Sequence, residues 1–365
     1  MSMTRRQFLL TSGGAAVAAA TNLLSAQLPS EVEPSGPIID FHVHLFGVGD
    51  GGTGCYISEK QRHHITYPFF THLMRLRENG RMDEDYLQRL VAMLRESSVQ
   101  KAVLLSQDSR YDAQGRPDKE NTSFYVPNDY LFRTVARFPD LFIPCVSINP
   151  KRRDTLEELD RCAELGARVL KIHPPIQDVD PAEARFSPFY RRCADKKIIV
   201  MFHTGTEHAA EIVGNQFSDP LRLVPALEEG CIVIASHSGF GSLIDKEDFF
   251  PHLLPLVRRF PNFYCDTAAL AITFRFRSLP RMLQEPEFLE RTLHASDIPF
   301  PASPMVFWNR LSYGKLFELA TEANLFERDV RLKQALGVPA AVFERGAKLL
   351  DSAASRPVSS SSASI

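Results

Sequence analysis

The segment Asp40-Phe41-His42-Val43-His44 sets two imidazoles two residues apart inside an apolar run. On a strand, residues i and i+2 point to one face, so His42 and His44 can enter the same space with Asp40 one step below. Other ionisable residues close other β-branched runs: Lys171 and His173, His203, His237 and Asp297. Imidazole and carboxylate are the ligands of zinc and similar transition metals. Taken singly, each is an ordinary buried or loop residue. Ionisable groups at the ends of five strands are together costly to bury without partners, and a shared metal and a substrate are the simplest partners. Arg275, in Phe274-Arg275-Phe276-Arg277, can clamp a carboxylate through two parallel bonds. Solvated loop arginine is the plainer reading of that pair. His63, His64 and His72 stand in a long loop and are left outside the site.

Positioning these groups requires regular elements below them. Eight short β-branched runs follow one another at residues 38–43, 101–106, 141–148, 167–173, 198–203, 231–236, 262–266 and 292–296. From the third onward they recur at about 30 residues, the length of one βα unit. Between them, Leu87, Leu90, Val91 and Leu94 in residues 85–97, and Leu156, Leu159, Cys162 and Ala163 in residues 155–165, keep helical spacing. Gly166 supplies a C-terminal stop. Strict alternation predicts the α/β class with a parallel sheet under covering helices. Eight units predict closure into a (β/α)8 TIM barrel, with an open doubly wound sheet as the alternative. Residues 309–350 read as helices that complete the barrel and form a C-terminal helical extension. Four inserts, 46–82, 107–126, 268–280 and 298–308, follow strand C-terminal ends, so they are long βα loops walling the face that carries active sites. The Gly-rich stretch 47–54 lacks the Gly-Lys-Ser/Thr and the helix start of a phosphate cradle, and reads as a flexible loop.

The 365 residues suit one large α/β domain, and a 44% hydrophobic fraction suffices for its core. A formal charge of -2 offers no field for nucleic acid, which leaves a small molecule as the expected partner. Oligomerisation with copies of itself is left open. Six scattered cysteines without a CxxC pair argue against a disulfide framework, and Cys145, Cys231 and Cys265 in apolar runs read as core. Thr4-Arg5-Arg6-Gln7-Phe8-Leu9, followed by an Ala-rich run, resembles a twin-arginine export signal spanning 1–26. Its Thr, Ser, Gly and Asn content falls short of a membrane span, so no stable span is expected after cleavage. A linker at 27–37, the barrel at 38–351 and a disordered Ser-rich tail at 352–365 complete the expected organisation. Periplasmic or secreted location follows from that signal.

The order of HxH, His-Thr-Gly (203–205), Ser-His-Ser-Gly (236–239), Pro-Asn-Phe-Tyr-Cys-Asp (261–266) and Ser-Asp-Ile-Pro (296–299) resembles the amidohydrolase superfamily, specifically its amidohydrolase-2 branch. The resemblance covers roughly residues 38–351. It implies one divalent ion held by His42, His44, His203 and Asp297, zinc first, with manganese or iron as alternatives. His237 and Asp297 would then orient a water and shuttle its protons, while Lys171, His173 and Arg275 contact the substrate. Binuclear members carry a carbamylated lysine at the fourth strand, which would make Lys171 a bridge to a second metal. Lys-Ile-His-Pro (171–174) is more similar to the mononuclear branch. The implied activity is hydrolysis of a small-molecule amide, ester or lactone. Because the branch also holds nonoxidative decarboxylases, decarboxylation of an aromatic or unsaturated acid is the alternative. A non-catalytic barrel with a vestigial metal site is a third reading, disfavoured because no expected ligand is missing.

Overall fold

Runs apolar on both faces can be buried only where both faces are covered, as in a parallel sheet flanked by helices. The computed structural model, which describes residues 33–355, places eight such strands in one parallel sheet in chain order. They are β1 (Ile38–His44), β2 (Val99–Leu105), β3 (Phe142–Ser147), β4 (Val169–Ile172), β5 (Ile199–His203), β6 (Val233–Ser236), β7 (Phe263–Asp266) and β8 (Thr292–Leu293). The helices α1 (Met82–Arg95), α2 (Asn128–Arg137), α3 (Thr155–Glu164), α4 (Ser187–Asp195), α5 (Val224–Glu228), α6 (Leu253–Arg259) and α7 (Ser278–Met282) return the chain between strands. Three more, α8 (Tyr313–Thr321), α9 (Leu325–Ala335) and α10 (Ala340–Ser355), form the C-terminal extension. Gly166 ends α3 with φ 95°, as its position suggested. The sheet closes on itself through Phe41 N to His294 O (3.1 Å), Asp297 N to His42 O (2.9 Å) and His44 N to Ile298 O (2.9 Å). The result is a TIM barrel.

Strand alternation divides the core in two. Ile39, Phe41, Val103, Leu105, Cys145, Val169, Ile199, Met201, Ile232, Ile234, Leu293 and Ala295 form the barrel filling. Their neighbours, among them Ala102, Leu104, Leu170, Ile172, Val200, Phe202 and Val233, pack outward against the helices. Helix α10 contributes Leu349 and Ala353 to the inner cluster and so plugs the lower end. All six cysteines are buried free thiols.

Two expectations change. Helix α10 continues through residues 352–355, four residues into the expected tail, because Ala353 extends the buried stripe begun by Leu349. The Gly-rich stretch is not a loose loop: Val48 N (2.6 Å), Gly49 N (3.1 Å) and the Thr53 hydroxyl converge on the carboxylate of Asp83 in the first turn of α1. Neighbouring residues Tyr56–Ile57 pair antiparallel with Phe124–Tyr125, which joins the first two inserts. The first insert also folds into helices Glu59–His63 and Thr66–Leu73. The export signal at 1–26, the first part of the linker and residues 356–365 lie outside the described residues. The linker's last residues are tethered, with Ser35 N and Gly36 N donating to Glu344 Oε1 at 2.8 and 3.2 Å. Among the described residues no helix is long and apolar enough to cross a membrane.

Beneath the open end lies a buried ion pair. Lys333 on α9 is fully buried, and its ammonium donates to Asp329 Oδ2 and to the Ala295 carbonyl, both at 2.6 Å. That carbonyl belongs to the segment leading into Asp297. Removing one member of a buried pair strands the other charge, which costs about 3–5 kcal/mol. Lys333→Met should therefore lower unfolding free energy in a denaturant titration by that amount, and Asp329→Leu added to it should recover most of the loss. A single-variant loss below about 1 kcal/mol, the scale of an ordinary substitution, contradicts this role.

Candidate metal centre

Along β4, β5, β7 and the segment running on from β8, inward positions carry apolar residues first and an ionisable one last, whereas β3 and β6 end on Ser147 and Ser236. Lys171 follows inward Val169, His203 follows Met201, Asp266 follows Tyr264 and Asp297 follows Ala295. On β1 the register shifts between Asp40 and Val43, and this bulge passes the inward phase from Phe41 to His42 and His44. Both imidazoles therefore enter the mouth, as expected. Asp40 does not join them: its Oδ1 accepts from His42 N (3.1 Å) and Ser296 N (2.9 Å) within the wall. Burial pushes the Asp40 carboxyl up to about 7, although these hydrogen bonds oppose it.

The five histidines form a continuous row of rings. Centroid separations are 5.1 Å for His44 and His42, 4.9 Å for His42 and His237, 4.5 Å for His237 and His203, and 4.1 Å for the stacked His203 and His173. Three of them are tied back by Nδ1: His42 to Asp266 Oδ2 (3.4 Å), His237 to the Ala268 carbonyl (3.1 Å) and His203, at ion-pair distance, to Glu207 Oε2 (3.6 Å). Nε2 of His42 and Nε2 of His203 are buried with no hydrogen-bond partner. Asp297 Oδ1 sits 3.3 Å from His42 Nε2 and 3.1 Å from His44 Nε2. Donor atoms of His42, His237 and Asp297 lie within 4.8 Å of one another. Those of His173, His203 and Glu207 form a second such trio. His203 thus stands with His173 and Glu207, while His237 stands beside His42 and Asp297. His44, its side chain 22% exposed, is at the rim, and the others are buried.

Burial drives His42, His203 and His237 well below the ordinary imidazole range, so they are neutral, the form that ligates a metal. Lys171 is buried with its Nζ unpartnered, and burial brings it down to about 8 against the pull of Asp266 and Asp297. The donor set and the unpartnered nitrogens fit a divalent cation. His237 and Asp297 take left-handed backbone angles, φ 63° and 73°, conformations that non-glycine residues hold only when surroundings impose them. Gly205 does so at φ 84°, where a Cβ would run into the Phe240 carbonyl, which explains the glycine of His-Thr-Gly.

The structure brings His42, His44, His237 and Asp297 together at the barrel mouth, sets His173 and His203 beside Glu207 next to them, and leaves Asp40 in the wall. Arg275 is buried, donates through Nη2 to the Thr206 carbonyl, and casts its charge on Glu207, Asp297, His203 and His237. Arg277 is exposed over the Phe276 ring. His63 is exposed, and His64 bonds Thr66 Oγ1 away from the centre. Two members escaped the sequence reading. Asp266 ends a strand in the inward phase, and the strand-end rule that selected Lys171 and His203 selects it too. Glu207 lies four residues past a strand end in irregular backbone, where no periodicity points to it.

A family profile described as amidohydrolase matches residues 39–318. No curated protein matches the chain. Solved structures share its fold at low identity. An uncharacterised TIM-barrel protein from Bordetella bronchiseptica superposes with TM-score 0.59 and 15% identity over 88% of this chain and 100% of its own. A candidate 2-pyrone-4,6-dicarboxylic acid hydrolase from Pseudomonas putida gives 0.50 and 19% over 86% and 97%. A candidate amidohydrolase from Staphylococcus aureus gives 0.50 and 14% over 86% and 99%. With the profile covering most of the chain and the barrel mouth carrying this row of histidines, the protein belongs to the amidohydrolase family.

Proposed function

We propose that this protein is a metal-dependent hydrolase of a small-molecule amide, ester or lactone, exported by the twin-arginine route to the periplasm or beyond. The observation that carries the proposal is the convergence of neutral imidazole edges, tied back by Nδ1, on the Asp297 carboxylate. His42, His44, His203 and Asp297 would hold one divalent ion, zinc before manganese or iron. When bound, such an ion polarises the scissile carbonyl and acidifies water.

The remaining steps fall to the protein's own groups. Since a carbonyl can only accept, the proton of neutral His237 is on Nδ1, facing Ala268 O, and its Nε2 carries a lone pair. That nitrogen is suited to take a proton from water and return it to the leaving group, with Asp297 orienting the water. Lys171 and Arg275 bring positive charge to the buried mouth and anchor an anionic or polar substituent, and His173 lines the same wall. Burial of all but His44 keeps bulk water out. Metal-dependent decarboxylation would use the same donors, with Lys171 and Arg275 holding the departing carboxylate.

Elemental analysis of purified protein should give one metal per chain, lost in His42→Ala. A ratio near two contradicts the single-ion reading and makes a carbamylated Lys171 the bridge. On a panel of lactones, esters and aromatic acids, products should contain solvent oxygen, and bicarbonate release without water addition would overturn hydrolysis. His237→Ala should keep the ion while kcat falls by roughly 10²–10⁴, the contribution of a positioned acid–base group. Loss of the ion in that variant would reassign His237 as a ligand.

A further inference from the structure

We infer that Glu207 is a positioning residue that locks His203 in its metal-facing orientation and fastens the first insert to the metal centre. This rests on the metal reading above. Glu207 is buried, and its Oε2 accepts from His173 Nε2 at 3.0 Å while facing His203 Nδ1 at 3.6 Å. The two rings are stacked at 19° and 4.1 Å, so one carboxylate oxygen serves the same side of both. The bond fixes the His173 tautomer with its proton on Nε2, and the carboxylate facing His203 Nδ1 from 3.6 Å, beyond hydrogen-bond length, favours the proton on that nitrogen. His203 Nε2 and His173 Nδ1 are left as buried lone-pair nitrogens with no partner. Carboxylates that orient ligating imidazoles in this way preset the ring and raise its basicity.

The other oxygen reaches a different part of the molecule. Glu207 Oε1 accepts from Ala209 N, and the Ala209 carbonyl accepts from Gln61 Nε2 and Thr66 Oγ1, both at 2.8 Å. Gln61 and Thr66 belong to the helical part of the first insert. Ala209 is thus held through its N–H by the carboxylate and through its carbonyl by the first insert. The Glu207 carboxylate thus accepts from the His173 imidazole with one oxygen and from the Ala209 amide with the other.

Glu207→Gln keeps the shape but replaces one acceptor oxygen with a donor, so it can serve the two rings or the Ala209 N–H but not both, and it removes the negative charge facing His203. Measured by competition with a chromophoric chelator, its zinc affinity should fall 10–100-fold, the usual effect of losing such a partner. One ion per chain at saturation should accompany this. Glu207→Asp, which keeps the charge, should fall between the two and covers the case in which the Gln variant fails to fold. Gln61→Ala with Thr66→Val, which releases the insert, should also weaken zinc binding, by a smaller factor. Wild-type affinity in Glu207→Gln overturns the inference, as does a drop from two ions to one, which would make Glu207 a ligand. His42→Ala is the control. If it retains zinc the metal reading itself fails, whereas zinc loss there with wild-type affinity in Glu207→Gln defeats only the role of Glu207.

Discussion

Burying ionisable side chains at the mouth of an otherwise apolar barrel is the constraint on which this structure turns. Water is excluded there, so each charge must be balanced locally or suppressed. His42, His203 and His237 answer by staying neutral, each turning Nδ1 toward a protein acceptor. Among the buried charged groups, the cations Lys171 and Arg275 face the carboxylates Asp266, Asp297 and Glu207, an excess of one negative charge. Asp40 stands outside that balance, in the wall, where it accepts from His42 N and Ser296 N and burial lifts it to about 7. A divalent cation converts the excess into one net positive charge and gives the free imidazole edges their partner.

The barrel meets this constraint by layering. Lower inward positions are filled by Ile39, Phe41, Val103, Val169, Met201 and Ile234, which need no partners and carry the hydrophobic stabilisation. Polar groups are confined to the last inward position of each strand. The end of β8 is the most constrained part. Asp297 occupies a left-handed conformation, and the segment before it is pinned by Lys333 on the Ala295 carbonyl, by Asp40 on Ser296 N and by the His42 carbonyl on Asp297 N. The strain of aiming one carboxylate is thus borne by a backbone held from three sides.

Most of this order was legible in the sequence because it is periodic. Alternating apolar runs marked all eight strands, and the strand-end rule marked His203 and Asp297 before any coordinates. Legibility failed where period failed. The bulge in β1 leaves no compositional trace, so Asp40 was grouped with His42 and His44 although it lies in the wall. Glu207 and Asp83 were missed or misjudged for a shared reason: each organises irregular backbone through convergent hydrogen bonds, and such convergence is a property of three dimensions. Ala353 shows the opposite failure, since one small apolar residue sufficed to prolong α10 where a periodic face was sought.

Hydrolysis and decarboxylation need the same metal donors, so the choice between them turns on the initial position of a proton. Addition of water requires a group that begins unprotonated and accepts. Replacement of a carboxylate requires one that begins protonated and delivers to carbon. His237 begins as an acceptor: burial and the nearby Arg275 charge disfavour its cation, and the Ala268 carbonyl claims its one N–H. The acid available is Lys171, set among Asp266 and Asp297, where its charge is needed to offset theirs. Giving up that proton would leave both carboxylates with a weaker counter-charge, whereas His237 keeps an open Nε2 beside Asp297. The electrostatic arrangement therefore supports the hydrolytic reading.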